Sequence, residues 1–226
     1  MNIREITKLA GAMGQAVSYD GLTYYMRYDN VMVMVANKFI TAAKILDGTD
    51  RIAPCAFCNI NLKVVDIPKS VTHIGTGAFS WCSKLKRVTI PEGVQILDNS
   101  VFYNCDSLEE VEIPKTVTGI SSNTFYGCKN LQRCNLPNVK TIGWCAFMDC
   151  LSLTDVSFSS QLEEIRGGAF DGCESLQKIE IPLSTNFIGT GAFHNCPNLR
   201  QVVLPRHLKQ YIWDAFEGEI HWTWIE

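Results

Sequence analysis

The sequence predicts a repeat solenoid with a small α+β cap at its N-terminal end, and three observations predict it. Phe57, Phe79, Phe102, Phe125, Phe147, Phe170, Phe193 and Phe216 follow one another at steps of 22 or 23 residues, a period that marks stacked repeats. Around each phenylalanine the same apolar positions return, closed by a proline in most units. The first 44 residues carry a different periodicity. Two segments follow: a cap over residues 1–44 and a solenoid of about eight turns over 45–226, the last one truncated.

In the cap, Ile3, Ile6, Leu9, Ala10, Met13 and Val17 recur at helical spacing with Arg4, Glu5 and Lys8 on other faces, which predicts one short amphipathic helix. Tyr19-Asp20-Gly21-Leu22 and Tyr28-Asp29-Asn30-Val31 then place turn residues on either side of residues 23–27, and Val31, Val33 and Val35 alternate beyond them. That is the pattern of a three-strand meander. A solenoid needs its open end covered. Tyr19, Tyr24, Tyr25 and Tyr28 either pack within this cover or form a binding patch on it.

The repeat unit reads Ile67-Pro68-x-x-Val71-x-x-Ile74-x-x-x-Ala78-Phe79-x-x-Cys82-x-x-Leu85-x-x-Val88-x-Ile90-Pro91. The leucine column is Leu62, Leu85, Leu108, Leu131, Leu153, Leu176 and Leu199. Three residues on stand Val65, Val88, Val111, Cys134, Val156, Ile179 and Val202, and two further on Ile67, Ile90, Ile113, Leu136, Phe158, Ile181 and Leu204. The V-x-I step has the period of a strand, so both apolar residues turn inward and the residue between them faces out. Pro68, Pro91, Pro114, Pro137, Pro182 and Pro205 then fix φ and remove a donor, limiting each strand to about three residues; only Ser159 breaks that column. One such unit cannot bury its own apolar row, whereas neighbours stacked at about 4.8 Å share a continuous core. Past Phe216, residues 219–225 lack a further Cys or Pro, and Trp222 falls in the leucine column. Trp222 and Trp224 either cover the last core layer or form a homodimer contact.

These columns resemble the bacterial BspA-type leucine-rich repeats, whose 23-residue unit has the same I-P, A-F, Cys, Leu and Val positions. The resemblance covers residues from about 45 to the end. It implies a leucine-rich-repeat right-handed superhelix with short parallel strands on one face. It also implies adhesion or host-factor binding by a secreted or cell-attached bacterial protein. With proline and polar residues after the strand, an asparagine ladder is not expected. Met1 to Leu9 lack the apolar stretch of a secretory signal, so the sequence as it stands points to the cytoplasm. The alternative is thus an intracellular binder or inhibitor of a protein complex, of the kind a phage or mobile element encodes.

Composition and motifs leave little room for other classes. A formal charge of -3 and a pI near 5.8 give no clustered excess of Lys and Arg for nucleic acid. The longest apolar run, residues 31–36, is far too short to span a membrane. Cys82, Cys105, Cys128, Cys150, Cys173 and Cys196 stand three residues after the repeat Phe, a column explained by small buried side chains between closely spaced turns. Metal binding needs ligands that converge, whereas a column spreads them along an axis. Cys55-Ala56-Phe57-Cys58 is a C-x-x-C without a second pair. His73, His194, His207 and His221 fall at unrelated positions and read as solvated surface. Gly75-Thr76-Gly77 and Gly189-Thr190-Gly191 lack the third glycine of a dinucleotide loop and read as turns. No cofactor, metal or catalytic group is expected.

Function is therefore expected on the outward positions of the strands. Before the Val column stand Val64, Arg87, Glu110, Arg133, Asp155, Lys178 and Gln201, and after it Asp66, Thr89, Glu112, Asn135, Ser157, Glu180 and Val203. The candidate partner-binding set is Asp66, Arg87, Thr89, Glu110, Glu112, Arg133, Asn135, Asp155, Ser157, Lys178 and Glu180. Arg87, Glu110, Arg133, Asp155 and Lys178 alternate in sign, so successive turns can pair their charges. Mixed polarity suits a protein surface better than a ligand of one strong charge.

Overall fold

The computed structural model describes residues 16–27, 30–35 and 37–226. The helix expected from Ile3 onward lies almost wholly outside them, and Val17, assigned to it from spacing, instead belongs to a strand. The meander is present: β1 (Ala16–Tyr19), β2 (Leu22–Arg27) and β3 (Asn30–Val35) pair antiparallel. Tyr28 lies outside the described residues, as do the side chains of Tyr19, Tyr24 and Tyr25.

The rest is a parallel solenoid of about nine turns with two strand ladders. The long ladder consists of β4 (Ala42–Lys44), β6 (Val64–Asp66), β8 (Arg87–Thr89), β10 (Glu110–Glu112), β12 (Arg133–Asn135), β14 (Asp155–Ser157), β16 (Lys178–Glu180), β18 (Gln201–Pro205) and β19 (His221–Ile225). It is hydrogen-bonded in three pieces, β4–β6, β8 to β14 and β16 to β19, with β6 against β8 and β14 against β16 where the pieces meet. The short ladder is β5 (Arg51–Ile52), β7 (His73–Ile74), β9 (Ile96–Leu97), β11 (Gly119–Ile120), β13 (Thr141–Ile142), β15 (Glu164–Ile165) and β17 (Phe187–Ile188). β3 pairs in parallel with β5, so the meander and the start of the short ladder form one sheet. The long ladder has one strand more than the Phe count suggests because β4 precedes the first repeat Phe.

A third seam runs along the phenylalanines. The rings stack with centroids 4.8–5.5 Å apart and planes within 3–18° of parallel from Phe57 to Phe216. The amide of each Phe from Phe57 to Phe193 donates to the carbonyl of the residue before the next Phe, at 2.7–2.9 Å. Ring stacking and backbone pairing thus repeat along the same axis.

Each Phe-marked turn from Phe57 to Phe193 passes twice through left-handed backbone, and the Phe216 turn once. Two residues before the Phe stand Cys55, Gly77, Ser100, Asn123, Cys145, Gly168 and Gly191; two after it stand Asn59, Trp81, Asn104, Gly127, Asp149, Gly172, Asn195 and Gly218, all with φ between 50° and 87°. Asn, Asp and Gly tolerate this region, which accounts for most of both columns. Trp81, at φ 62°, is the bulky exception. Gly75 and Gly189 serve another need: a Cβ there would lie 2.7 Å from the Pro54 nitrogen and 2.4 Å from the Gly167 nitrogen. The Gly-Thr-Gly segments are turns drawn tight against the previous repeat. Pro68, Pro91, Pro114 and Pro182 each accept from the amide three residues on, at 3.0–3.1 Å, and Ser159 does the same for Leu162 at 3.0 Å. The break in the proline column leaves the turn unchanged.

At the C-terminal end the register differs from the one the leucine spacing predicts. Trp222 pairs with Val202, not with Leu199, because the loop from Phe216 to the strand is three residues shorter than the one after Phe193. Between β18 and β19 the chain forms a 3-10 helix, Arg206–Tyr211, and one helical turn, Ile212–Ala215. The Phe216 amide donates to the Ile212 carbonyl of that turn at 3.2 Å. Trp222 packs edge-on against Phe216 at 5.2 Å and stacks on Trp224 at 6.0 Å, both indoles half-buried.

Phe125 is enclosed between Phe102 at 5.5 Å and Phe147 at 5.1 Å, so Phe125→Ala should cost about 3–5 kcal/mol in urea unfolding. Phe216→Ala should cost less, since only one repeat flanks that ring and a terminal turn can fray. Equal losses at the two sites would contradict a stack in which each turn is held only by its neighbours.

Candidate partner-binding face

In β4 and in β8, β10, β12, β14 and β16 of the long ladder the middle residue is buried and its two flanks are exposed. Val88, Val111, Cys134, Val156 and Ile179 are buried, while Arg87, Thr89, Glu110, Glu112, Arg133, Asn135, Asp155, Ser157, Lys178 and Glu180 are exposed. Asp66 is exposed on β6, beside a half-buried Val65. From β8 to β14 the pairing is without slip: Arg87, Glu110, Arg133 and Asp155 form one row and Thr89, Glu112, Asn135 and Ser157 the other. All eleven candidate residues therefore lie on one outward face.

The expected ladder of alternating ion pairs forms only in part. Arg87 reaches Glu110 at 3.7 Å. Lys178 instead bonds Glu180 of its own strand at 2.6 Å. Among the described residues Arg133 and Asp155 form no ion pair, which leaves their charges to solvent or to a partner. Exposed pairs of this kind contribute about 0–1 kcal/mol, so the row costs the fold little to keep or to change.

Sequence rows missed a basic groove at the N-terminal end of this face. Lys63, Lys84, Lys86 and Arg87, with Ser107 and the 61% exposed Val64, line an open space of about 740 Å3. Lys86 is paired with Glu109 at 3.1 Å. Lys63 and Lys84 lie in the loops that lead into the strands, outside the period-two rows, and only the stacking of two turns brings them together.

The cysteine column has a polar role that burial alone does not predict. Each thiol sits within 3.0–3.3 Å of the carbonyl oxygen of the preceding turn's Phe, from Cys82 on Phe57 to Cys196 on Phe170. That S–H donor bonds a carbonyl which also accepts the amide three residues on in its own turn, as Phe79 accepts from Cys82 at 3.2 Å. Burial pushes the thiols of Cys82, Cys134 and Cys196 up to about 12 and those of Cys105, Cys128, Cys150 and Cys173 upward as well. An activated nucleophile needs the opposite shift.

His73 departs from the solvated reading. Its Nδ1 accepts from Arg51 at 3.2 Å and its Nε2 donates to Asp98 at 2.8 Å, joining three successive turns of the short ladder. His207 Nε2 donates to the Thr185 carbonyl at 2.7 Å, and His194 stands 3.3 Å from Glu217. These are cross-turn ties. Among the described residues no three metal-ligating side chains converge, and no helix is long and apolar enough to cross a membrane.

The profile of the BspA-type leucine-rich repeat region matches six copies of the unit over residues 36–150 and 120–222. The chain belongs to the BspA-type leucine-rich-repeat family. A leucine-rich repeat protein from Bacteroides ovatus is 30% identical over 83% of this chain and 54% of its own, with a TM-score of 0.66. One from T. pallidum is 28% identical over 92% of this chain and 99% of its own, at a TM-score of 0.75. One from Eubacterium ventriosum is 26% identical over 76% and 49%, at 0.64. The BspA-type chain thus spans about half the length of the first and third and nearly all of the second. No curated protein matches the sequence.

The buried thiols of this BspA-type solenoid make its stability depend on alkaline pH. Their folded-state pKa values are raised above the ordinary 9.0, so the fold favours the protonated form. The stabilisation is complete below about pH 9 and is lost as pH rises from there toward about 12, at up to ~1.4 kcal/mol per pH unit for each thiol. Urea midpoints should fall steeply above pH 9. A Cys105→Ala/Cys128→Ala variant should be less stable at neutral pH yet show a shallower fall; an equally steep fall would show that other groups set the alkaline limit.

Proposed function

We propose that this chain is a non-enzymatic protein-binding module. It docks its partner on the exposed rows of the long ladder, in the adhesion or host-factor role that the family resemblance implies. One observation carries the reading: of eleven outward side chains of mixed charge on this face, the eight from Arg87 to Ser157 stand in register on one parallel sheet whose inward residues are committed to the core. The outward positions are free to vary without disturbing the columns that hold the fold, so recognition and stability draw on different residues. Arg133 and Asp155, which form no ion pair among the described residues, are suited to charge pairs across an interface. An enzyme reading has less support, since the buried thiols are shifted away from reactivity.

The test compares two variants of the full chain. Replacing Glu112, Asn135 and Ser157 by Lys makes the centre of the face strongly positive; replacing Lys115, Lys129 and Lys140 by Glu changes exposed charges outside the long ladder. With a partner first obtained by affinity capture, the strand triple should weaken binding at least about tenfold, or ~1.4 kcal/mol, and the other triple should change it little. If binding survives the first and is lost with the second, while both variants unfold in urea like the parent, the partner uses another face.

A further inference from the structure

We propose that Cys55 and Cys58 form a dithiol site that exchanges with low-molecular-weight disulfides and closes into an internal disulfide in the first Phe-marked turn. The turn already brings the two residues together. The Cys58 amide donates to the Cys55 carbonyl at 3.1 Å, and a tight turn of this kind holds the two Cα atoms within about 7 Å, close to the upper limit of about 6.8 Å for a disulfide. Cys55 is exposed and Cys58 half-buried, so a small reagent reaches the pair.

The repeat itself supplies an independent measure of how their side chains lie. Cys55 stands two residues before the repeat Phe and Cys58 one after it, and these two positions face each other in later turns. A Cβ on Gly77 would lie 3.3 Å from the Ser80 hydroxyl oxygen, and one on Gly191 would lie 3.4 Å from the His194 ring. Only the turn around Phe57 has cysteine at both positions; Cys145, at the first position of its own turn, is followed at the second by Met148. The neighbouring thiol does not compete, because Cys82 is buried and bonded to the Phe57 carbonyl at 3.0 Å.

The exchange balances without any group beyond the oxidant. The Cys55 thiolate attacks a small disulfide such as glutathione disulfide, the S–S bond of that molecule breaks, and one thiolate leaves. Cys58 then gives up its proton and attacks the Cys55 sulfur of the mixed disulfide, which expels the second small thiolate. Two protein thiols are oxidised, one external disulfide is reduced, and the two protons end on the two released thiols. Burial, and then the adjoining Cys55 thiol, raise the Cys58 pKa. Cys58 is thus held as the protonated resolving thiol until the mixed disulfide on Cys55 is formed beside it.

The bond would form at the junction of cap and solenoid. Ala56, between the two cysteines, accepts from the Val35 amide at the end of β3 at 2.9 Å, and the Cys55 amide donates to Thr76 of the next turn at 2.9 Å. Oxidation would fix the turn on which both sides rest.

Folded full-length chain is incubated with glutathione disulfide, quenched by alkylation and mapped by mass spectrometry. The expected product is a peptide in which Cys55 and Cys58 together have lost two hydrogen atoms, restored by dithiothreitol, with Cys145 carrying a glutathionyl group. Cys58→Ser should hold the glutathionyl group on Cys55, since nothing resolves it. The proposal is overturned if wild-type Cys55 keeps its adduct as Cys58→Ser does. It is equally overturned if both cysteines stay reduced under conditions that modify Cys145, or if Cys55 bridges two chains instead. The wild-type result stands even if the variant folds poorly.

Discussion

Everything in this molecule depends on contact between a turn and its two neighbours. The stacked phenylalanines, 4.8–5.5 Å apart, match the spacing of hydrogen-bonded strands closely enough that ring contact and backbone pairing are satisfied by one translation. No turn buries its apolar residues alone, and among the described residues the strands of each turn pack against those of adjacent turns. The core is therefore a set of identical joints, and the exposed positions are relieved of any part in holding it.

That constraint also explains what was legible in the sequence. A side chain that must meet its own counterpart one turn away is repeated at a fixed interval, so the Phe, Leu, Val and Pro columns announced both the architecture and the outward rows. The left-handed columns were equally repetitive, but Asn, Asp and Gly share the role there, and the signal is a conformation and not a residue type. Trp222 shows the limit of counting. Its distance from Leu199 equals a full repeat, yet a loop shortened by three residues after Phe216 brings it against Val202 instead. The basic groove escaped because only Lys63 and Lys86 share a repeat position, while Lys84 and Arg87 join them from two others, so no single column contains it.

The cysteine column is the case where the right expectation had an incomplete cause. A small apolar side chain explains why the position is tight, but alanine would satisfy that as well. Cysteine adds a weak donor long enough to reach the Phe carbonyl of the turn behind, at 3.0–3.3 Å. A serine hydroxyl would be a stronger donor on a shorter bond and would be more costly to desolvate if the geometry slipped. The thiol tolerates small variations in turn length, such as the 22-residue steps to Phe125→Phe147 and Phe57→Phe79, with little loss.

These bonds also give the solenoid a direction, as a polymer chain has one. The amide of every repeat phenylalanine from Phe57 to Phe193 points forward to the next turn, and every column thiol points back to the one before. At Phe216 the forward amide is taken by Ile212 of its own turn. A further repeat placed there would have to draw that amide away from the helical turn before it could join in register. Within the described residues the forward run of Phe amides thus stops at Phe216, whose ring Trp222 meets edge-on.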